Sequence, residues 1–292
     1  MAFFSISPSR RTMSIKICPP RPTPSSVDLF TRGVDIFLNM AESNGWTPEE
    51  AKPRWKTRDH TTDEYIPNEK CWARYVNLSC CAVEVTQGTT SQYNKTATLI
   101  TPSCAIMSQH YGLSPGNKVG FINTSGAYIE RTVQKAVKHY DYQPYWPDLK
   151  IVSFTEPVVG CIPAHILPMD WRNYIPNKGW GLPCLKLDKQ DHCSVGEVSS
   201  IATPDMCSIR EPQSQPRKRY HENLVGGDSS DPCFLIGLAV PIILTTWTYG
   251  GWGSGTSINH FAEYKGKYNW IDQTCMNLAG EKPVKAKLTN GT

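Results

Sequence analysis

The amino-acid sequence predicts an all-β protein built as a sandwich or barrel, and three observations carry that expectation. Short apolar stretches recur from about residue 72 onward, at roughly 8–15-residue spacing between turn-like clusters. Aromatic residues are abundant, with 9 Trp, 13 Tyr and 8 Phe, and together with Thr and Val they suit a pleated, half-buried surface. Few helical periods interrupt this pattern.

Taken in order, residues 1–27 are rich in Ser, Pro and Arg and read as a mobile arm. Val27, Phe30, Val34, Phe37, Leu38 and Met40 then follow a 3–4 spacing, which predicts a helix capped by Ser26 or Asp28 and ended by Gly45. Thr47-Pro48-Glu49-Glu50 is a second helix start, with Thr47 as N-cap, Pro48 in the first turn and acids at the positive end of the dipole. Residues 51–70 are charged and aperiodic and read as a connector. The segment 1–70 is therefore expected to be a partly helical extension packed outside the main body. Strands are predicted at Ala73–Val76, Ala82–Val85, Thr96–Ile100, Lys118–Ile122, Ala127–Val133 and Leu149–Phe154. Later strands are predicted at Val195–Ile201, Cys233–Leu238 and Ile242–Thr248. Residues 168–194, punctuated by Pro168, Pro176, Gly179, Gly181 and Pro183, read as an irregular connector between two β halves.

Composition excludes several classes. The 292 residues are 39% hydrophobic and 19% charged, too apolar for wholesale disorder. No stretch approaches the roughly 18 uninterrupted apolar residues of a membrane span. A balance of 30 basic against 26 acidic residues, net +4, is no nucleic-acid footprint. The basic run Pro216–His221 therefore reads as a solvated loop and no nucleic-acid partner is expected. The first residues lack the apolar core of a secretory leader, which points to an intracellular or particle-associated setting. The 11 cysteines form no CxxC pair. Cys184, His192, Cys193 and Cys207 can be drawn as a metal site, but buried thiols are the simpler expectation, and no metal or cofactor is expected.

The most specific string is Gly226-Gly227-Asp228-Ser229-Ser230-Asp231-Pro232, directly before an apolar run. A serine on a tight Gly-rich turn has its hydroxyl pushed outward and its N–H free, and the glycines bring a second N–H nearby. Two further strings matter. Thr98 to His110 is an apolar strand running into a short loop that ends in histidine. Asp148 stands immediately before the apolar Leu149–Phe154. Each has a bland alternative, since Gly, Asp, Ser and Pro also make ordinary turns. The order His, Asp, Ser gives them weight together.

In these strings the chain resembles the trypsin-like serine proteases of the chymotrypsin fold. Thr98–His110 is similar to the family's strand leading to "T-A-A-H", Asp148–Phe154 to its "D-I-A-L-L-x-L", and Gly227–Pro232 to its "G-D-S-G-G-P". Leu244–Gly250 resembles the strand "x-x-S-W-G" that pairs with substrate backbone. The resemblance covers residues 71–265. It implies two six-stranded Greek-key β-barrels, 71–165 carrying His110 and Asp148 and 166–292 carrying Ser229. It also implies a serine endopeptidase acting on a protein or peptide substrate. Ser229 would be the nucleophile, His110 the general base and Asp148 its orienting acid, with the N–H groups of Gly227 and Ser229 as the oxyanion hole. Substrate would be bound by Asn223, six residues before Ser229, and by Thr246, Trp247 and Gly250.

The sequence also departs from the family. Ser230 and Asp231 replace two glycines, and Asp231 places a carboxyl beside an oxyanion site. Tyr111 follows the histidine where animal trypsins have Cys, and no Cys precedes Gly226. The missing cysteines suit a non-secreted, microbial or viral branch, while the replaced glycines and the larger Met107-Ser108-Gln109 before His110 motivate the competing expectation of a protease-like fold without turnover, serving as a binding or structural module. A third possibility is an unrelated β-rich particle component. Oligomeric state is not legible.

Overall fold

The first element of the computed structural model is helix α1 (Ser26–Ser43). The structure describes residues 24–87, 90–92, 96–139, 148–175, 178–203, 206–247, 254–257 and 269–291, so the expected arm lies mostly outside the described residues. Ser25, rather than Ser26 or Asp28, is the N-cap. Its hydroxyl accepts the Asp28 N–H while the Asp28 carboxylate accepts from the Ser25 backbone, a reciprocal box that satisfies two otherwise orphaned donors. Thr47 and Glu50 repeat the device at α2 (Pro48–Ala51). The face of α1 carrying Phe30, Val34, Leu38 and Ala41 is almost wholly buried. The flank of this face is held by charge: Arg217 from α3 (Gln215–Arg219) makes a two-pronged pair with Asp35, both bonds 2.8 Å, and Arg219 meets Glu42 at 3.0 Å. The basic run is therefore a docking element for α1 and not a solvated loop.

The segment expected as a connector contains an antiparallel hairpin, β1 (Trp55–Asp59) and β2 (Glu64–Pro67). Residues expected as the strand Ala73–Val76 form turns instead, with Val76 N–H donating to Ala73 C=O at 2.8 Å.

Two antiparallel β bodies follow. The first contains β3 (Ala82–Gln87), β4 (Thr90–Gln92), β5 (Thr98–Thr101), β6 (Cys104–Met107), β7 (Lys118–Ile122), β8 (Tyr128–Lys138) and β9 (Lys150–Phe154). Their order is β4-β3-β7-β8-β9-β6-β5. The sheet curls until β5 meets the start of β3, through the bridge Cys81–Thr98 and the bond from Leu99 N–H to Cys80 C=O, 2.8 Å. The second contains β10 (Lys178–Leu187), β11 (Cys193–Thr203), β12 (Met206–Arg210), β13 (Pro232–Leu235), β14 (Ile242–Trp247) and β15 (Ser254–Ser257). It is a closed barrel in the order β10-β11-β12-β15-β14-β13. Setting aside the short β4, both bodies share one cyclic order: first, second, third, sixth, fifth, fourth. A sixth strand returning beside the third is a Greek-key connection. The expected all-β, two-barrel architecture is thus present, with seven strands in the first sheet where six were expected. β10 lies in the stretch 168–194 that was expected to be irregular.

A helix that the sequence reading did not anticipate, α4 (Trp270–Ala279), is capped by Asn269 and ended by Gly280 at φ 71°. The apolar interior divides into two main clusters. α1 contributes Val34, Leu38 and Ala41 to one and Phe30 to the other, so the helix is built into the core and is not a peripheral attachment. Gly33 permits this seating, since a Cβ there would lie 2.6 Å from Gly237 Cα.

Candidate active site

The loop after β6 carries His110. Gln109 N–H donates to Asp148 C=O at 3.1 Å. The Asp148 carboxylate accepts twice, from the His110 backbone N–H at 2.8 Å and from His110 Nδ1 in a close contact. One carboxylate thus fixes both the backbone and the ring of the same histidine. The Asp148 side chain is 14% exposed and that of His110 45%, so the acid is shielded while the far edge of the imidazole meets solvent. Lys150, two residues on and 1% exposed, donates to Tyr111 C=O and, at 3.0 Å, to Leu113 C=O. The ammonium finds its acceptors on the His110 loop, as a buried cation must.

The Gly226–Asp231 turn stands at the entrance to β13. Gly227 has φ 107° and Ser230 φ 77°, the first easy for glycine and the second costly for serine. Asp228, 2% exposed, accepts from Val225 N–H at 2.7 Å and Lys189 N–H at 3.3 Å. Its carboxylate is therefore satisfied by the chain's own backbone. Asp231 is buried, and one of its carboxyl oxygens has no hydrogen-bond partner. Burial, reinforced by the neighbouring Asp228, Asp191 and Asp188, pushes its pKa far above the usual carboxylate range. The carboxyl expected beside the oxyanion site thus stands in surroundings that disfavour its charged form.

Two direct bonds join this turn to the histidine loop across the two bodies. Ser108 N–H donates to Ser230 Oγ at 2.8 Å, and the Tyr111 hydroxyl donates to Gly227 C=O at 2.8 Å. The Tyr111 ring lies 4.8 Å from the His110 ring, centroid to centroid. Ser229 also faces the Tyr111 hydroxyl. Burial raises the pKa of that phenol to about 12, against the opposing hydrogen bond from Ser229. His110, Asp148 and Ser229 are thus gathered at one junction. A bond from Ser229 to His110 is not among those formed by the described residues. The N–H groups of Gly227 and Ser229 donate to no backbone acceptor among the described residues.

The other expected site residues are less concentrated. Thr246 is buried opposite Pro232 in the β13–β14 pairing. Trp247 pairs with Gly255 along the backbone, and Gly250 lies outside the described residues. Asn223 is exposed, with Oδ1 3.4 Å from His221 Nε2. Its neighbour Glu222 turns away to Lys52 at 2.7 Å and His192 at 3.3 Å. Asp188, His192 and Glu222 could each offer a metal one ligand atom, all within 4.8 Å of one another, but Lys52 already occupies Glu222. The cysteine set drawn from sequence is divided: Cys193 belongs to one core, and Cys184 and Cys207 to the other.

Sequence reasoning did not assign Lys150, Lys189 or the bridging role of Tyr111. A lysine inside an apolar strand was a usable signal for Lys150. The other two depend on contacts between distant segments. No known protein family matches the chain, and no curated protein matches it.

Proposed function

We propose that this protein is a serine endopeptidase acting through an acyl-enzyme. The observation that carries the reading is the double grip of Asp148 on His110, on a loop bonded directly to the turn that presents Ser229. Asp148 fixes the tautomer with the proton on Nδ1 and leaves the Nε2 lone pair to take the Ser229 proton as Oγ attacks a peptide carbonyl. The N–H groups of Gly227 and Ser229 suit the oxyanion that forms. His110 then protonates the departing amine, and water releases the acyl group by the reverse sequence. That no Ser229–His110 bond is formed among the described residues is compatible with a resting enzyme, in which catalytic hydrogen bonds tighten only with substrate.

A second reading, a protease-like binding module without turnover, is favoured by the orientation of Ser229 toward Tyr111 and by Ser230 and Asp231 in place of glycines. Fluorophosphonate labelling with mass mapping separates the two. Adduct at Ser229, absent in Ser229→Ala, supports the peptidase. A folded wild-type protein that takes no label at Ser229 supports the binding module.

A further inference from the structure

Two successive carbonyls of the nucleophile turn are held from outside it, one by each β body. Lys189, in the loop between β10 and β11, donates from Nζ to Gly226 C=O at 2.9 Å. Tyr111 holds Gly227 C=O from the other side. A trans peptide points its C=O and N–H in opposite directions. Drawing the Gly226 carbonyl toward Lys189 therefore sends the Gly227 N–H away from Lys189. Between two glycines this peptide has little steric barrier to turning over, and turning it over would put a carbonyl where a donor is required.

We propose that Lys189 is a positioning residue that keeps the Gly226–Gly227 peptide in its donor-presenting orientation, with Tyr111 fixing the peptide that follows. The lysine stem supports this as well as its charge: a Cβ on Gly227 would lie 2.9 Å from Lys189 Cδ, so the stem lies along the turn. Lys189 is itself anchored. Its N–H donates to Asp228 at 3.3 Å, and its C=O accepts from Arg58 Nη1 at 3.0 Å. Arg58 Nε in turn meets Asp191 at 3.2 Å. The β1–β2 hairpin thereby braces the loop that braces the oxyanion turn. Asp228 is capped within this arrangement by backbone N–H groups.

The inference rests on the peptidase reading, and the test separates their failures. Fluorophosphonate inactivation of the full chain is resolved into kinact and KI for wild type, Lys189→Met and Lys189→Arg. Losing one oxyanion donor outright costs about 10²–10³ in rate. A donor misplaced part of the time is expected to lower kinact by about 10–100-fold, with KI within about twofold and an unchanged urea midpoint. Lys189→Arg, which keeps a cation on a long stem, is expected to restore most of the rate. A merely structural lysine would move the midpoint and not the split between kinact and KI. If Lys189→Met does not fold, Lys189→Leu, which also lacks a donor, makes the same comparison. A variant labelled at the wild-type rate, or an arginine no better than methionine, overturns the positioning role while leaving the peptidase intact. Wild-type protein that takes no label overturns both readings, and that outcome is visible before any variant is compared.

Discussion

Ser230 offers the sharpest energetic test of the site. Its φ of 77° places an L-residue in the left-handed region at a cost of about 1–2 kcal/mol relative to glycine. Its Oγ accepts the Ser108 N–H at 2.8 Å, with both residues wholly buried. Ser230→Ala keeps the backbone cost and removes the acceptor, and a buried donor deprived of its acceptor costs about 1–3 kcal/mol. Ser230→Gly removes the same acceptor but relieves the backbone. The greater freedom of glycine in the unfolded chain takes back about 0.5–1 kcal/mol of that relief. Both variants are expected to be less stable than wild type, with glycine ahead of alanine by about 1 kcal/mol. With a urea slope of about 2–3 kcal/mol/M, tryptophan-monitored unfolding should separate their midpoints by about 0.3–0.5 M. Alanine equal to or more stable than glycine would refute both the backbone assignment and its place in the accounting.

Further expectations concern other parts of the molecule. Asp148→Asn should leave the urea midpoint nearly unchanged and lower the fluorophosphonate labelling rate by about 10⁴, since the amide favours the wrong imidazole tautomer. Arg217→Met removes the nearer of two cations from Glu197, whose side chain is only 4% exposed, and leaves Arg210 at 3.8 Å; the loss should stay below about 3–5 kcal/mol, the cost of a fully stranded buried charge, and adding Glu197→Gln should recover part of it. Gly237→Ala would set a Cβ 2.1 Å from Leu29 C=O at φ +118°. It should unseat α1 with a loss of more than about 2 kcal/mol in chemical denaturation. Burial raises the pKa of Glu222, but the bonds from His192 and Lys52 outweigh it and bring the carboxyl down to about 2, from 4.5. A depressed folded pKa stabilises fully above the unfolded value, and that stability drains as pH falls from 4.5 toward 2. Glu222→Gln should flatten the pH-stability curve in that window.

The β pattern was legible because solvent-facing and core-facing residues alternate or run apolar between turns, and Lys118–Ile122 matches its strand end to end. The order of His110, Asp148 and Ser229 was legible as short strings at strand ends. β10 was not, because the same Gly and Pro that punctuate loops lie inside it. Gly181 sits at φ 58° where its register with β11 slips, and Pro183 pairs with Glu197, as tolerated at a bulge. β1 escaped because its faces carry charges partnered elsewhere, Arg58 on Asp191 being one case. Ala73–Val76 looked like a strand only in being apolar. Its hydrogen bonds close on themselves, Arg74 N–H to Cys71 C=O and Val76 N–H to Ala73 C=O. The cap residues of α4, Asn269 and Gly280, were readable signals. Lys189 and Tyr111 were not, because their roles arise only when hairpin, turn and loop converge.

The seating of α1 in the core bears on the order of events in biosynthesis. Ser26 exchanges two hydrogen bonds with Thr289, N–H to C=O at 2.8 Å and Oγ from N–H at 2.8 Å, and Gly33 lies against Gly237. The helix is made early, yet the surfaces that receive it are made late. While the ribosome works toward residue 289, the apolar face of α1 lacks its final seat, and Asp35 and Glu42 await Arg217 and Arg219. The seat of α1 is therefore complete only after residue 289 has been made, and until then its apolar face is without its final cover.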